Sequence, residues 1–165
     1  IVVRKDGGSQ QVDNPRNLYD KPCNKFVAGF IGAPQMNLID AVVGKSGSEV
    51  TLTFDGHTIA LPAEKGKVLE EKGYNGKTVT LGIRPEDLHG EGIVADTYPT
   101  SHFMFDVEVS ELLGHEFILH GRFGKQRLEA KVAARIEARP HEDIELAMDL
   151  SKVHFFDKET EETII

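Results

Sequence analysis

The sequence predicts a mainly β protein: a small barrel of the Greek-key type, preceded by a strand hairpin and two short helices. Three observations lead to this fold class. Apolar and polar residues alternate in about nine short segments beyond residue 37, as in half-buried strands. Turn pairs such as Asp55-Gly56 and Asn75-Gly76 separate these segments. The first thirty-odd residues instead carry helix caps and a helical spacing of apolar residues.

The chain opens with a predicted hairpin and a first helix. Residues 1–4 are rich in β-formers, residues 5–8 read Lys-Asp-Gly-Gly as a turn signal, and residues 10–12 supply the returning strand. Asn14 can then cap a helix whose first residue is Pro15. This helix should end near Lys21, because a residue that precedes a proline is disfavoured in the α region.

A second helix is predicted directly afterwards, with Asn24 as its cap. Its predicted apolar stripe consists of Phe26, Val27, Phe30 and Ile31. Gly32 can terminate it in the left-handed region, and Pro34 prevents its resumption. The stripe requires a covering surface, so residues 18–37 are predicted to be a junction. Its candidate residues are Phe26, Phe30, Gly32, Pro34, Met36 and Asn37.

Strands follow, with one helix among them. A loop with a polar tip is expected at residues 44–46, and helix-forming residues predict a helix at 63–72, although Gly66 weakens it. The composition of residues 130–139 favours a helix, but the neighbouring strands favour a strand there, which we adopt. The alternating residues expected to face inward are Val50, Leu52, Phe54, Ile59, Leu61, Val79, Leu81, Ile83, Phe117, Leu119, Phe123, Leu128, Ala130, Val132, Ile144, Leu146, Met148 and Leu150.

The clearest strand covers residues 102–110. Phe103, Phe105, Val107 and Val109 should face inward, because a slip by one residue would bury carboxylates. Short strands in this number imply a closed or nearly closed barrel of the oligonucleotide- and oligosaccharide-binding (OB) type.

The composition of the chain disfavours several classes of function. The formal charge of −8 and the absence of a basic cluster disfavour nucleic acid as a partner. A single cysteine, Cys23, fits an intracellular compartment, and no apolar run approaches the length of a membrane span. The chain also begins without methionine or signal-peptide order, as if cut from a longer protein.

No catalytic, cofactor or metal site is predicted. Gly44-Lys45-Ser46 resembles the end of a phosphate-binding loop, but Ile39 stands where that loop requires its first glycine. The seven histidines form no recognised ligand spacing, and no serine lies in a triad context.

One charged cluster, Arg84-Pro85-Glu86-Asp87, leaves two interpretations open. The arginine could bind an oxyanion or enter a buried ion pair. Alternatively, Pro85 begins a helix whose first turn carries Glu86 and Asp87. The helix start is favoured, because the two acids offset the arginine toward an anionic ligand.

Four segments resemble one family. Residues 5–15 (KDGGSQQVDNP) and 18–37 (LYDKPCNKFVAGFIGAPQMN) are similar to the end of the nucleotide-binding domain of ATP-binding cassette (ABC) ATPases. The ending FIGAPQMN favours the ATPases of carbohydrate importers of the maltose, multiple-sugar and glycerol-phosphate type. Residues 81–88 (LGIRPEDL) and 145–160 (ELAMDLSKVHFFDKET) resemble the same family's C-terminal regulatory domain, the transport-associated OB-like (TOBE) domain.

The resemblance implies a division into residues 1–33, the end of the nucleotide-binding domain, and residues 34–165, the regulatory domain. It implies that the Walker A, signature and Walker B motifs lie upstream, so that ATP and Mg²⁺ belong to the full-length parent and not to this fragment. It further implies a homodimer, membrane subunits reached through the ATPase domain, a regulatory protein as a further partner, and a position at the cytoplasmic face of the membrane. A module that senses a small ligand, an oxyanion or a sugar, is the alternative.

Overall fold

The computed structural model describes residues 1–165 and contains twelve strands, four short α-helices and one 3-10 turn, Pro85–Asp87. The helices are α1 (Pro15–Asp20), α2 (Lys25–Phe30), α3 (Ala63–Glu71) and α4 (Gly92–Thr97). The strands are β1 (Val2–Lys5), β2 (Gly8–Val12), β3 (Asn37–Ser46), β4 (Glu49–Phe54), β5 (His57–Ala60), β6 (Thr78–Ile83), β7 (Leu88–His89), β8 (His102–Leu113), β9 (Glu116–Phe123), β10 (Gln126–Ala133), β11 (Asp143–Met148) and β12 (His154–Asp157). No helix combines the length and the apolar character that a membrane span requires.

Two five-stranded antiparallel sheets form the barrel. One has the order β10-β9-β8-β11-β7 and the other β12-β6-β3-β4-β5, while β1 and β2 form a separate hairpin. Strand β10 also lies against β7 and the 3-10 turn, so the first sheet nearly closes on itself. One cluster of 27 buried residues draws side chains from both sheets. The mainly β, OB-like class is therefore confirmed, with a hairpin and two helices before the barrel.

Local signals placed several elements correctly. The side chain of Asn14 accepts a hydrogen bond from the backbone of Asn17 at 2.9 Å and caps α1. Asn24 caps α2 in the same way through Val27, also at 2.9 Å. The helix predicted at 63–72 is confirmed as α3. The strand predicted for residues 130–139 is confirmed only as far as Ala133, where β10 ends, because residues 134–139 form turns and irregular structure.

The loop predicted at residues 44–46 is wrong, because these residues end strand β3 and the turn lies at Gly47, which has a φ of +60°. No strand is predicted from the sequence at the position of β3. Its alternation is present in Ile39, Ala41 and Val43, all buried, but alanine and glycine are weak strand formers.

Val109 was predicted to face inward and instead has 48% of its surface exposed. The pairing of β8 with β9 shifts between Val107 and Val109, which is a β-bulge. One extra residue reverses the alternation beyond the bulge, so Phe103, Phe105 and Val107 are buried and Val109 is not.

The predicted stripe of α2 is also only partly buried. Val27 and Ala28 are fully covered, whereas Phe30 is 58% exposed. Val27 packs with Val3 and Leu18, and Ala28 packs with residues of the barrel. The helix therefore docks between the hairpin and the barrel through a face rotated from the predicted one.

Candidate functional site

The residues singled out from the sequence lie around the connection between α2 and β3 and around the end of β6. Gly32, Pro34 and Met36 form the connection, and Arg84 directly follows β6. The structure brings Gly32 and Arg84 together: a methyl group on Gly32 would lie 3.1 Å from Arg84 Nη1. This close approach, with a φ of +116°, explains the need for glycine at position 32.

Arg84 is the centre of the junction. Its side chain is buried, with 3% exposed. Nη1 donates to the carbonyl oxygen of Ile31 and Nη2 to that of Tyr19, both at 2.7 Å. These carbonyls lie at the carboxyl ends of α2 and α1, where backbone oxygens lack helical partners and the helix dipole favours a cation. The guanidinium carbon also lies 3.7 Å from the centre of the Tyr19 ring. One side chain thus ties both helices to the barrel.

Met36 and Asn37 connect the start of β3 to α2 and to strand β10. Met36 is buried with Ala28 of α2 and Phe156 of β12. The amide nitrogen of Asn37 donates to the carbonyl of Glu129 at 2.8 Å, and its oxygen accepts from the Glu129 N–H at 2.9 Å. Both backbone hydrogen-bonding groups of Glu129 in β10 are therefore satisfied by a single side chain, which joins the two sheets.

Phe26 and Phe30 lie apart from Arg84. Their rings stack with centres 5.8 Å apart, and the Lys5 ammonium lies 5.2 Å above the Phe26 ring. Pro34 is half-buried and follows a cis peptide bond. These aromatic residues thus form a partly exposed edge of the helical segment.

A cleft of about 860 Å³ separates the helices from the barrel. Charged residues line it on both sides: Arg16, Lys21, Lys65, Arg84 and Lys152, with Asp20, Glu86 and Asp87. Lys65 Nζ donates to the carbonyl of Val153 at 3.0 Å. Two of these five cations, Lys65 and Arg84, are therefore already engaged with backbone carbonyls, and three acidic residues line the same cleft.

Burial shifts the pKa values of five groups that line this cleft, and the shift is large for Arg84, His154 and Asp87. It lowers the pKa of Arg84 to about 10. Burial, assisted by the charges of Arg84 and Lys65, lowers the pKa of His154 to about 4, so this imidazole is neutral near pH 7. Burial, reinforced by Glu86 and then by Asp149, raises the pKa of Asp87 to about 6.

The favoured interpretation of residues 84–87 agrees with the structure in part. Pro85 begins a 3-10 turn with the two acids in it, although the turn is only three residues long. The arginine is buried, as in the other interpretation, but its partners are carbonyl oxygens and not carboxylates.

Sequence reasoning missed His154, Lys65 and the last residues of the chain as parts of this junction. Thr163 lines the cleft and donates through Oγ1 to the carbonyl of Pro22 at 2.6 Å. Lys65 and Thr163 lie in no recognised motif, and His154 lies in the segment 145–160 without a local sign of its role, since the partners of these residues are far away in sequence.

The arrangement can fix the relative position of two structural units. No three His, Cys, Asp or Glu side chains are placed to share a metal ion.

Comparison with known proteins gives a consistent result. Residues 32–88 match the family described as the MalK OB fold domain. The chain is 40% identical over 161 residues to the oligosaccharides import ATP-binding protein MsmX of Bacillus subtilis, covering 98% of this chain and 43% of that protein. It is 44% identical over 158 residues to the multiple sugar-binding transport ATP-binding protein MsmK of Streptococcus mutans, covering 96% and 41%.

A third relative is the trehalose/maltose import ATP-binding protein MalK of Thermococcus litoralis, 38% identical over 165 residues, with 99% of this chain and 44% of that protein covered. The chain thus spans less than half the length of these relatives. Among solved structures, the cytoplasmic molybdate-binding protein ModG aligns with a TM-score of 0.51 at 12% identity, over 72% of this chain and 94% of ModG. At that identity the likeness shows the fold alone.

Proposed function

Because the chain belongs to the ATP-binding proteins of carbohydrate ABC importers and carries their C-terminal MalK-type OB domain, we propose that it regulates and dimerises the ATPase subunit without taking part in catalysis. The observation that carries this proposal is the alignment of at least 96% of the chain with three such proteins. In this proposal residues 1–33 finish the nucleotide-binding domain and residues 34–165 form the regulatory domain. The full-length parent binds ATP and Mg²⁺ and hydrolyses ATP to drive the uptake of a sugar.

The proposed partners are a second copy of the chain, the membrane subunits and a regulatory protein. The parent would therefore act at the cytoplasmic face of the membrane. Exposed apolar side chains support a second copy on the barrel: Met104, Val109, Leu112 and Leu113 of β8 are each about half exposed. Two barrels that pair would keep two ATPase domains at a high effective concentration when their nucleotide interface opens.

Sedimentation equilibrium of the chain tests the dimer. We expect dimers at high micromolar concentration, and Leu112→Asp should weaken them at least about tenfold, because a carboxylate would be buried in an apolar contact. Ile93→Asp is the matched control, since Ile93 is 73% exposed on α4 and lies outside β8. A chain that stays monomeric at this concentration would refute dimerisation.

The alternative of an oxyanion- or sugar-sensing module has less support. Arg84 already donates from both terminal nitrogens to carbonyl groups, and so does the ammonium of Lys65. Carboxylates also line the cleft beside these cations, which disfavours an anionic ligand. Calorimetry with molybdate, sulfate and sugar phosphates should give no heat of binding, and a clear heat would favour the sensing module.

A further inference from the structure

The last residues of the chain, 160–165, form a strap between the helices and the barrel. On the helix side, the Thr163 N–H donates to the carbonyl of Cys23 at 3.1 Å, and the Lys25 N–H donates to the carbonyl of Glu161 at 2.8 Å. The hydroxyl of Thr163 adds its bond to Pro22. The strap therefore holds the segment that leads into α2.

The other edge of the strap is bonded to β12. The Ile164 N–H donates to the carbonyl of Phe155 at 2.7 Å, and the Asp157 N–H donates to the carbonyl of Glu162 at 2.8 Å. With hydrogen bonds on both edges, the strap behaves as an inner strand that extends the second sheet beyond β12 toward the helices.

The strap is anchored in the barrel. Ile164 is only 7% exposed and belongs to the main core, and Lys72 Nζ of the segment after α3 donates to its carbonyl at 2.9 Å. Lifting the strap would expose apolar core surface, which is unfavourable.

The strap and Arg84 act on opposite ends of the same short helix. The strap holds the residues before α2, whereas Arg84 holds the carbonyl of Ile31 just after it. The covalent connection, residues 31–36, would by itself allow the helices to pivot on the barrel. Two ties at the two ends of one helix remove that freedom.

We propose that the strap and Arg84 together make residues 1–33 and the barrel one rigid unit. A force on the barrel, from a second copy or a regulatory protein, would then reach the ATP-binding part and would not be absorbed at the connection. This inference rests on the proposed function for its purpose, but the rigidity itself can be measured in the chain alone.

Hydrogen exchange resolved by residue tests the rigid unit. Thr163→Val removes the hydroxyl bond of the strap at nearly constant volume, and we expect the amides of Lys25, Leu18 and Ile31 to exchange about 2- to 10-fold faster. Leu18 lies in α1 and Ile31 at the far end of α2, so both report on the whole unit. Arg84→Met should accelerate the same amides. Thr78→Val makes the same change at an exposed residue of β6 whose hydroxyl takes no part in the strap, so it is the matched control and should leave them unchanged.

The pattern of exchange decides the outcome. If Thr163→Val affects only Lys25, the two ties are separate local contacts and the inference is wrong. It is equally wrong if the amides of Leu52 and Leu119 in the barrel accelerate to the same extent, since the loss would then be global. A monomeric chain in sedimentation would remove the proposed dimer and leave these rates as a valid test.

Discussion

Replacing Arg84 by methionine should lower the free energy of unfolding by about 2–4 kcal/mol. Methionine keeps the apolar stem and cannot donate a hydrogen bond. Two hydrogen bonds from a charged group contribute about 1.5–3 kcal/mol each, and the contact with the Tyr19 ring adds about 0.5–2 kcal/mol. The cost of burying the charge, which also lowers the pKa of Arg84 to about 10, offsets part of this sum. In the variant, water in the cleft can bind the carbonyl groups of Ile31 and Tyr19. The loss of unfolding free energy is therefore smaller than the sum of these contributions.

Urea unfolding followed by far-ultraviolet circular dichroism measures this loss, since the chain has no tryptophan for fluorescence. Arg135→Met is the matched control: its side chain is 72% exposed and has one ion pair, with Glu91. We expect the control to lose less than about 1 kcal/mol. Losses for the two variants that agree within about 0.5 kcal/mol would refute the role given to Arg84.

Three further predictions concern the same junction and the barrel. Asn37→Leu should cost about 2–3 kcal/mol in the same urea titration, because it breaks both hydrogen bonds to the backbone of β10. Gly121→Ala should lower the thermal midpoint more than Gly82→Ala, because the first methyl group meets a main-chain oxygen of β8 and the second meets the sulfur of a flexible methionine. Between pH 7 and pH 4, Asp87→Asn should lose stability relative to the native chain, and His154→Gln should gain it, as unfolding free energies at each pH will report.

The signs of the pH predictions follow from proton linkage. The folded pKa of Asp87 is raised from 3.8 to about 6, so its contribution to stability is present below 3.8 and is lost as the pH rises through about 6. The folded pKa of His154 is lowered from 6.5 to about 4, so its contribution is present above 6.5 and is lost as the pH falls through about 4. The two effects oppose each other in the native chain. Asp87→Asn leaves only the effect of His154, and His154→Gln leaves only the effect of Asp87.

Each of these predictions has a control. The exposed Gln35→Leu should be nearly neutral beside Asn37→Leu. Asp96→Asn removes one exposed carboxylate and is the charge-matched control for Asp87→Asn. Equal thermal midpoints for the two glycine variants, or parallel pH curves for Asp87→Asn and the native chain, would contradict the reasoning.

What the sequence predicted correctly depends on residues close together in the chain. Asn14 and Asn24 cap helices through backbone groups three residues away. Such local capping can be predicted from the sequence alone. The alternation of Phe103, Phe105 and Val107 likewise fixed the inner face of β8. The bulge that exposes Val109 left no trace in the pattern, because the pairing with β9 decides it.

The sequence predicted a junction at residues 18–37, but the contacts that hold it could not be predicted, for the same physical cause. Arg84 meets carbonyls 53 and 65 residues earlier in the chain, and the hydroxyl of Thr163 meets one 141 residues earlier. Every residue has a carbonyl oxygen, so no sequence motif can indicate which carbonyl groups will accept these hydrogen bonds. The resemblance to the importer ATPases singled out Arg84 as part of LGIRPEDL, but only the fold gives it a role.

The two ties of the proposed rigid unit converge on strand β6. Arg84 follows this strand directly, and β12, which holds the strap, is hydrogen-bonded along it. The sequence of β6 alternates like a half-buried strand, yet all of its residues after Thr78 are buried. Gly82 shows why: a side chain there would meet Met36 and Phe156, the two residues that receive α2. Met36 and Phe156 therefore cover β6 at Gly82 and in turn pack against Ala28 of α2, so the absence of a side chain at this position lets these two residues lie close enough to the strand to receive the helix.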